Sequence, residues 1–372
     1  MAWRRKINNL ALNLFLVFVS LLSLFLILEF IVFRYILIAS DFPKVESVHQ
    51  VLKYKPNQKG IWRLKNEAIS RYAINANGWN SGHEAYQTIK NKKRIAIIGD
   101  SYIEAFSVNY NRSVAELLER YLGINQFEVY RFGIGGAHMA QYLHLLRKEV
   151  VNYRPDLVII NLAHNDFDES YSPVRNLYER YFLKLVINNG KVEREIYPIS
   201  YKPKWFTPIS YSATWRYLHI RQKVSFKPLK DLILGKGRGI YQANINISNI
   251  EEENRNNRIA ADYIFRRIKE ICTTHQIKLL IVIDGDRGRI YKQSDDLFDY
   301  ASGALTLNKI ARDISKKFAI DFIDLHPVFD REFKKSKKIF DYPSDGHWNQ
   351  LAHQIVARCI YKYLMEHKQL LN

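Results

Sequence analysis

Cysteine is nearly absent: 372 residues hold only Cys272 and Cys359. They fall in two separate helical patterns without metal-type spacing, which excludes zinc held on cysteines and favours two buried free thiols over a bridge. No internal repeat or low-complexity run occurs. No Gly-x-x-x-x-Gly-Lys-Ser phosphate loop is present, and Gly133-x-Gly135-Gly136 misses the dinucleotide-binding spacing. Acidic residues are scarce beside basic ones, 37 against 56, for a net charge of +19. Hydrophobic content of 47% with 25% charged residues is that of a globular chain and excludes disorder.

The one long apolar run lies at the N-terminus. Leu10–Leu28 is broken only by Asn13, Ser20 and Ser23, and Glu29 interrupts it before Phe30-Ile31-Val32-Phe33. About 20 such residues span a bilayer as a helix. Arg4, Arg5 and Lys6 precede it and favour a cytoplasmic N-terminus, against Arg34, Lys44 and Lys53 beyond it. A cleaved signal peptide is the rival reading, with Ala39-Ser40 a poor cleavage site. The expectation is a single-pass signal anchor over residues 1–40, with the body on the periplasmic or extracellular side. That body keeps +16 of the charge. Anionic membrane or acidic polysaccharide then fits better as partner than nucleic acid. Lys334, Lys335, Lys337 and Lys338 form the densest cluster, read as a solvated basic loop or as a steering patch.

Residues 41–91 read as a lead-in of short strands and loops, with Asn75-Ala76-Asn77-Gly78 as a turn. From Arg94 strands alternate with helices. Strand candidates are Arg94–Ile98, Glu128–Phe132, Leu157–Leu162, Lys278–Ile283 and Ile320–Leu325. Helical stretches are expected at 113–122, 138–152, 251–274, 303–317 and 350–366. Short continuous apolar strands separated by amphipathic helices predict an α/β fold: a three-layer α/β/α, flavodoxin-like parallel sheet over residues 92–368. Residues 167–250 interrupt that rhythm as an insertion after the third strand. It carries a hairpin over Phe182–Ile187 and Asn188-Asn189-Gly190, then an aromatic, basic segment with Trp205, Trp215, Tyr217, Lys223, Lys227 and Lys230. The insertion is either a lid or platform over the site or structural filler.

Four blocks fall at the carboxyl ends of strands or beyond the last one, where open α/β sheets place ligands. They are Gly99-Asp100-Ser101, Gly133-Ile134-Gly135-Gly136, Ala163-His164-Asn165-Asp166 and Asp345-Gly346-His347-Trp348-Asn349. A serine hydroxyl needs a base within about 3 Å, and imidazole titrates near neutrality. Together the blocks resemble the SGNH/GDSL hydrolase superfamily over about residues 92–366. The resemblance implies Ser101 as nucleophile, His347 as base with Asp345 orienting it, and the N–H groups of Ser101 and Gly136 with the Asn165 amide as oxyanion donors. Two positions depart from the family pattern. Ala163 stands where glycine is usual, and Ser344 occupies the acid's usual place, so the acid falls to Asp345 in a form similar to membrane-anchored and alginate-type acetylation members. Asp100 is expected to bond the turn presenting Ser101. Asp166 and His164 organise the third loop, and His164 and His138 are candidates for lining the substrate mouth, with Gln141 beside them. Asp284-Gly285-Asp286 reads as turn chemistry in preference to a metal-binding carboxylate pair. Neither a cofactor nor a metal is expected.

The reading that follows is a serine esterase removing O-acyl, chiefly acetyl, groups from a cell-envelope polysaccharide or glycolipid. Alternatives are an O-acyltransferase using the same triad on an exported polysaccharide and a catalytically silent glycan-binding protein.

Overall fold

The structure is a computed structural model that describes residues 2–172, 178–202, 211–222, 224, 241–242, 245–246 and 250–371. Five strands form one parallel sheet: β1 (Lys93–Gly99), β2 (Phe127–Gly133), β3 (Leu157–Leu162), β4 (Lys278–Ile283) and β5 (Asp321–Asp324), in spatial order β5-β4-β3-β1-β2. Their alternation divides the core. Ile95, Ile97, Leu157, Ile159, Leu280 and Val282 point to one face, and Ala96, Ile98, Val158, Ile160, Ile281 and Ile283 to the other. Both faces are covered, which is why the central strands β3 and β4 are almost wholly apolar. All six residues of β3 are buried.

The N-terminal helix is α1 (Ala2–Ile27), and α2 (Ser101–Glu104) is the single turn after β1. Helices α3 (Val114–Leu122), α8 (His326–Ser336) and α9 (Gln350–Glu366) cover the first face. The second is covered by α4 (Met139–Lys148), α5 (Ile250–Thr274) and α7 (Leu305–Lys317). A short helix, α6 (Arg287–Lys292), follows β4. The expected strands and long helices match these within a few residues, except that the stretch at 138–152 breaks into α4 and a separate 3-10 turn at Val150–Tyr153.

Helix α8 corrects the reading of the lysine cluster. Lys334 and Lys335 lie in its last turn and Lys337 is its left-handed C-cap, so these three complement a helix C-terminus, and Lys338 begins the loop that follows. Cys272 is buried and Cys359 half-buried, both as free thiols.

Between α1 and β1 lie two antiparallel hairpins, Val45–Val48 with Val51–Tyr54 and Lys59–Leu64 with Ala68–Ala73. The insertion hairpin pairs Lys184–Asn188 with Lys191–Ile196 around Asn189-Gly190 and packs on α4 and α5. Trp205, Lys223, Lys227 and Lys230 lie outside the described residues.

Among the described residues one helical stretch, Asn9–Ile36, is long and apolar enough to cross a membrane, with mean hydropathy 2.8. Its far end is bound to the body. The Glu29 carboxylate accepts from Ser212 Oγ (2.7 Å), Ala213 N (2.7 Å) and Thr214 N (2.9 Å), at the N-terminus of a helical segment running to Arg221. Phe33 stacks on Tyr217 with ring centroids 4.2 Å apart, and Arg216 donates to Ser40 O at 2.8 Å.

Candidate active site

Strand β1 ends at Gly99, and Asp100 caps the turn that follows, its Oδ1 accepting Tyr102 N–H at 2.9 Å. Ser101 is therefore the first helical residue at the carboxyl edge of a central strand. The neighbours of β1 are β2 and β3, so the Gly133–Gly136 and Ala163–Asp166 loops flank Ser101 on its two sides. Glycine is required in the first loop. A Cβ at Gly133 would stand 2.1 Å from Glu104 N, and Gly136 has φ +78°.

His347 reaches Ser101 from the loop before α9. Its Nε2 lies 2.7 Å from Ser101 Oγ, and its Nδ1 is hydrogen-bonded to Asp345 Oδ1. The same oxygen accepts the His347 backbone N–H at 3.0 Å. With Nδ1–H donating to the carboxylate, Nε2 is left as the acceptor for the serine hydroxyl. The two-residue spacing works because Asp345 folds back on the histidine's own backbone. The His347 side chain stays about one-third exposed, open to an incoming ester, while that of Asp345 is nearly buried.

Asn165, half-buried, lies in a single 3-10 turn, His164–Asp166. Asp166 fixes that turn, accepting from Ala163 N at 2.7 Å and from Tyr142 Oη at 3.0 Å. Burial pushes the nearby Glu169 carboxyl up to about 7, against a hydrogen bond from the Asn165 side chain.

His164 is buried, with Nε2 2.8 Å from Asn308 Oδ1. It lines a cavity of about 160 Å³ with Tyr102, Ala163, Asp284, Gly285 and Arg287. His138 does not line the mouth. It is fully buried, its ring edge-on to Phe182 at 6.0 Å, and neither ring nitrogen has a hydrogen-bond partner among the described residues. Gln141 is likewise buried, its Oε1 accepting Leu183 N–H at 2.9 Å. Both face inward because the insertion hairpin covers that side of α4.

Two groups around the site escaped sequence reasoning. Glu104, one turn after Ser101, accepts Gly135 N–H at 2.7 Å and the Tyr54 hydroxyl, so a residue of the first hairpin helps fix the glycine loop. Burial pushes its carboxyl up to about 7. Arg287 is the second. It donates to Asp284 Oδ2 (2.6 Å), Asp341 Oδ2 (3.2 Å), Tyr102 Oη (2.9 Å) and the Gly346 carbonyl. Burial opposes its charge, but the facing carboxylates outweigh burial and hold it protonated. The Asp284-Gly285-Asp286 carboxylates thus serve arginines: Asp286 caps α6 and lies 3.5 Å from Arg289 Nε. The only advance signal was an Asp–Arg pair at i, i+3.

A family model described as the GDSL-like lipase/acylhydrolase family matches residues 97–355. No curated protein matches the chain. Among solved structures it is similar to the acetyl xylan esterase AlAXEase (15% identity, TM-score 0.40, 73% of this chain and 99% of that one). It is also similar to a two-domain esterase active on acetylated mannans (13%, 0.40, 75% and 50%). A third is a lipase/acylhydrolase from Enterococcus faecalis (12%, 0.38, 74% and 96%).

Proposed function

The chain belongs to the GDSL-like lipase/acylhydrolase family, and from that premise we propose that it is a membrane-anchored serine esterase removing short O-acyl groups, acetyl foremost, from a cell-envelope polysaccharide or glycolipid. The observation that carries the reading is the hydrogen-bonded line from Ser101 Oγ through His347 (2.7 Å to Nε2) to Asp345.

In the first step Ser101 Oγ attacks the ester carbonyl as its proton passes to His347 Nε2. Asp345 holds the imidazole in the accepting tautomer and stabilises the imidazolium. The Ser101 and Gly136 N–H groups and the Asn165 amide would receive the oxyanion from both sides of β1, each worth about 10²–10³ in turnover. The imidazolium then gives its proton to the leaving sugar oxygen. Water, deprotonated by the same nitrogen, attacks the acyl-enzyme and releases the free acid.

The apolar helix and the basic charge of the body support a reading in which the site works outside the cytoplasm on anionic envelope material. The test is hydrolysis of p-nitrophenyl acetate by the full chain in neutral detergent, with fluorophosphonate labelling of Ser101. Turnover and labelling that disappear together in Ser101→Ala support the reading. A folded protein that hydrolyses no short ester and never labels overturns it.

A further inference from the structure

We propose that the cleft between the insertion hairpin and α5 binds an anionic polysaccharide, its carboxylates held by arginines and its sugar faces by an apolar floor. This names the polymer the esterase would work on and so rests on that reading for its purpose, though not for its geometry.

The cleft holds about 530 Å³. Its floor is Val192, Ile259 and the ring of Tyr263, and its rim carries Lys191, Arg255, Arg258 and Arg266. The arginines follow one face of α5, and 11 residues of helix give the row a length of about 16 Å. On the facing wall the hairpin tip comes close to the helix. A Cβ at Gly190 would stand 3.1 Å from Arg255 Nη2, so that guanidinium lies over the turn.

Two of the acids nearby are spent on other cations. Asp262, the cleft's one carboxylate among the described residues, is paired with Lys317. Glu195 receives two Arg147 bonds, at 2.8 and 3.1 Å, besides the Tyr263 hydroxyl. Arg258–Asp313 and Arg266–Glu270 are about half-exposed pairs, screened by water and easily exchanged for a ligand carboxylate. Arg266 also lies 5.6 Å from the Tyr263 ring centroid, setting a charge beside an aromatic face.

Guanidinium forks match carboxylates, and a ring beneath them suits the CH face of a sugar. A concave surface fits a linear polymer better than a flat bilayer. The helix that carries the trough's arginines is also tied to the loop that continues the Asn165 block. Asn257, between Arg255 and Arg258, accepts the Tyr171 hydroxyl at 2.9 Å from the loop that continues the Asn165 block.

The experiment uses the full chain carrying Ser101→Ala, in neutral detergent, by affinity electrophoresis through polygalacturonate and through dextran. Reading binding without turnover keeps it separate from the ester assay, so each result stands if the other fails. The expected result is retardation by polygalacturonate, little by dextran, and at least tenfold weaker binding when Arg255→Glu and Arg258→Glu are combined. Lys191→Glu, on the opposite wall, should weaken it less. Both arginines are exposed, and thermal melting checks the fold. Should the charge reversal unfold the protein, Arg255→Gln with Arg258→Gln reads the same loss. No retardation, equal retardation by both polymers, undiminished binding by the variants, or binding confined to phosphatidylglycerol vesicles would each overturn the proposal.

Discussion

Asp284 and Trp348 are bonded directly, Oδ1 of the carboxylate accepting the indole Nε1–H at 3.1 Å across 64 residues of sequence. The other oxygen, Oδ2, holds Arg287 at 2.6 Å, and Arg287 donates to the Gly346 carbonyl. One buried carboxylate at the end of β4 therefore secures both neighbours of His347. Tyr102, the residue after Ser101, shares the clamp by donating to Gly346 O at 2.8 Å. The turn that carries Ser101 and the loop that carries His347 are thus tied together behind the Ser101–His347 hydrogen bond.

Loosening that clamp should slow turnover more than it weakens substrate binding, because Asp284 and Arg287 act by positioning His347. Asp284→Asn keeps an acceptor for Trp348 but weakens the hold on Arg287. We expect kcat on p-nitrophenyl acetate to fall roughly tenfold, about 1.4 kcal/mol of barrier, with KM nearly unchanged. Arg287→Ala leaves a buried carboxylate unpaired and should cost about 3–5 kcal/mol of stability, seen in chemical denaturation. Arg287→Lys should recover part of that stability without recovering kcat, since an ammonium cannot reach four acceptors in a plane.

Within the proposed triad the losses should not add. Ser101→Ala and His347→Ala should each reduce kcat to a similar residual rate, and the double variant should fall no further. Asp345→Asn, which favours the wrong imidazole tautomer, should lower kcat by a factor on the order of 10⁴ while leaving the fold intact. Additive losses in the double variant would mean that the two side chains work independently.

The parallel sheet was legible because β1, β3 and β4 are continuous β-branched and leucine runs that permit no helical stripe, and the Ser101 and His347 blocks were legible because short motifs carry them. Helix α8 was not, since β5 passes into it without a glycine or a loop and Pro327 reads as a stop although it sits in the helix's first turn. His138 was misplaced because what buries it, Phe182, comes from an insertion 44 residues away. Glu104, Arg287 and Glu29 escaped for the same reason: most of their partners lie 31 to 185 residues off, where no periodicity reports them.

Glu104 should make stability depend on pH. Its carboxyl moves from 4.5 to about 7 through burial, so between those values the folded chain keeps a proton the unfolded chain has released. The unfolded state then binds fewer protons, and stability falls as pH rises. The contribution is complete below pH 4.5 and is lost, to the extent of about 3 kcal/mol, on passing through pH 7. Glu104→Gln still offers an acceptor to Gly135 and cannot titrate. Denaturation of both proteins from pH 4 to 8 should show the wild type losing ground to the variant as pH increases, and parallel curves would count against the shift.

Glu29 bears on whether the apolar helix stays on the mature protein. A leader removed by a signal peptidase has no reason to carry a side chain that completes the fold it leaves behind. Here the Glu29 carboxylate takes three donors from Ser212, Ala213 and Thr214, and Arg34 reaches it at 3.2 Å. Cleavage at Ala39-Ser40 would strip that acceptor from the N-terminus of the 213–221 segment and remove Phe33 from Tyr217. Losing a capping acceptor of this kind costs about 1 kcal/mol, and the exposed backbone N–H groups add to it. The intact mass of protein purified from membranes should therefore include residues 1–40. Glu29→Ala should speed amide exchange at 212–216 while exchange in β3 stays unchanged. A mass beginning near residue 40, with exchange at 212–216 as slow as in the uncleaved chain, would show that this contact holds nothing in place.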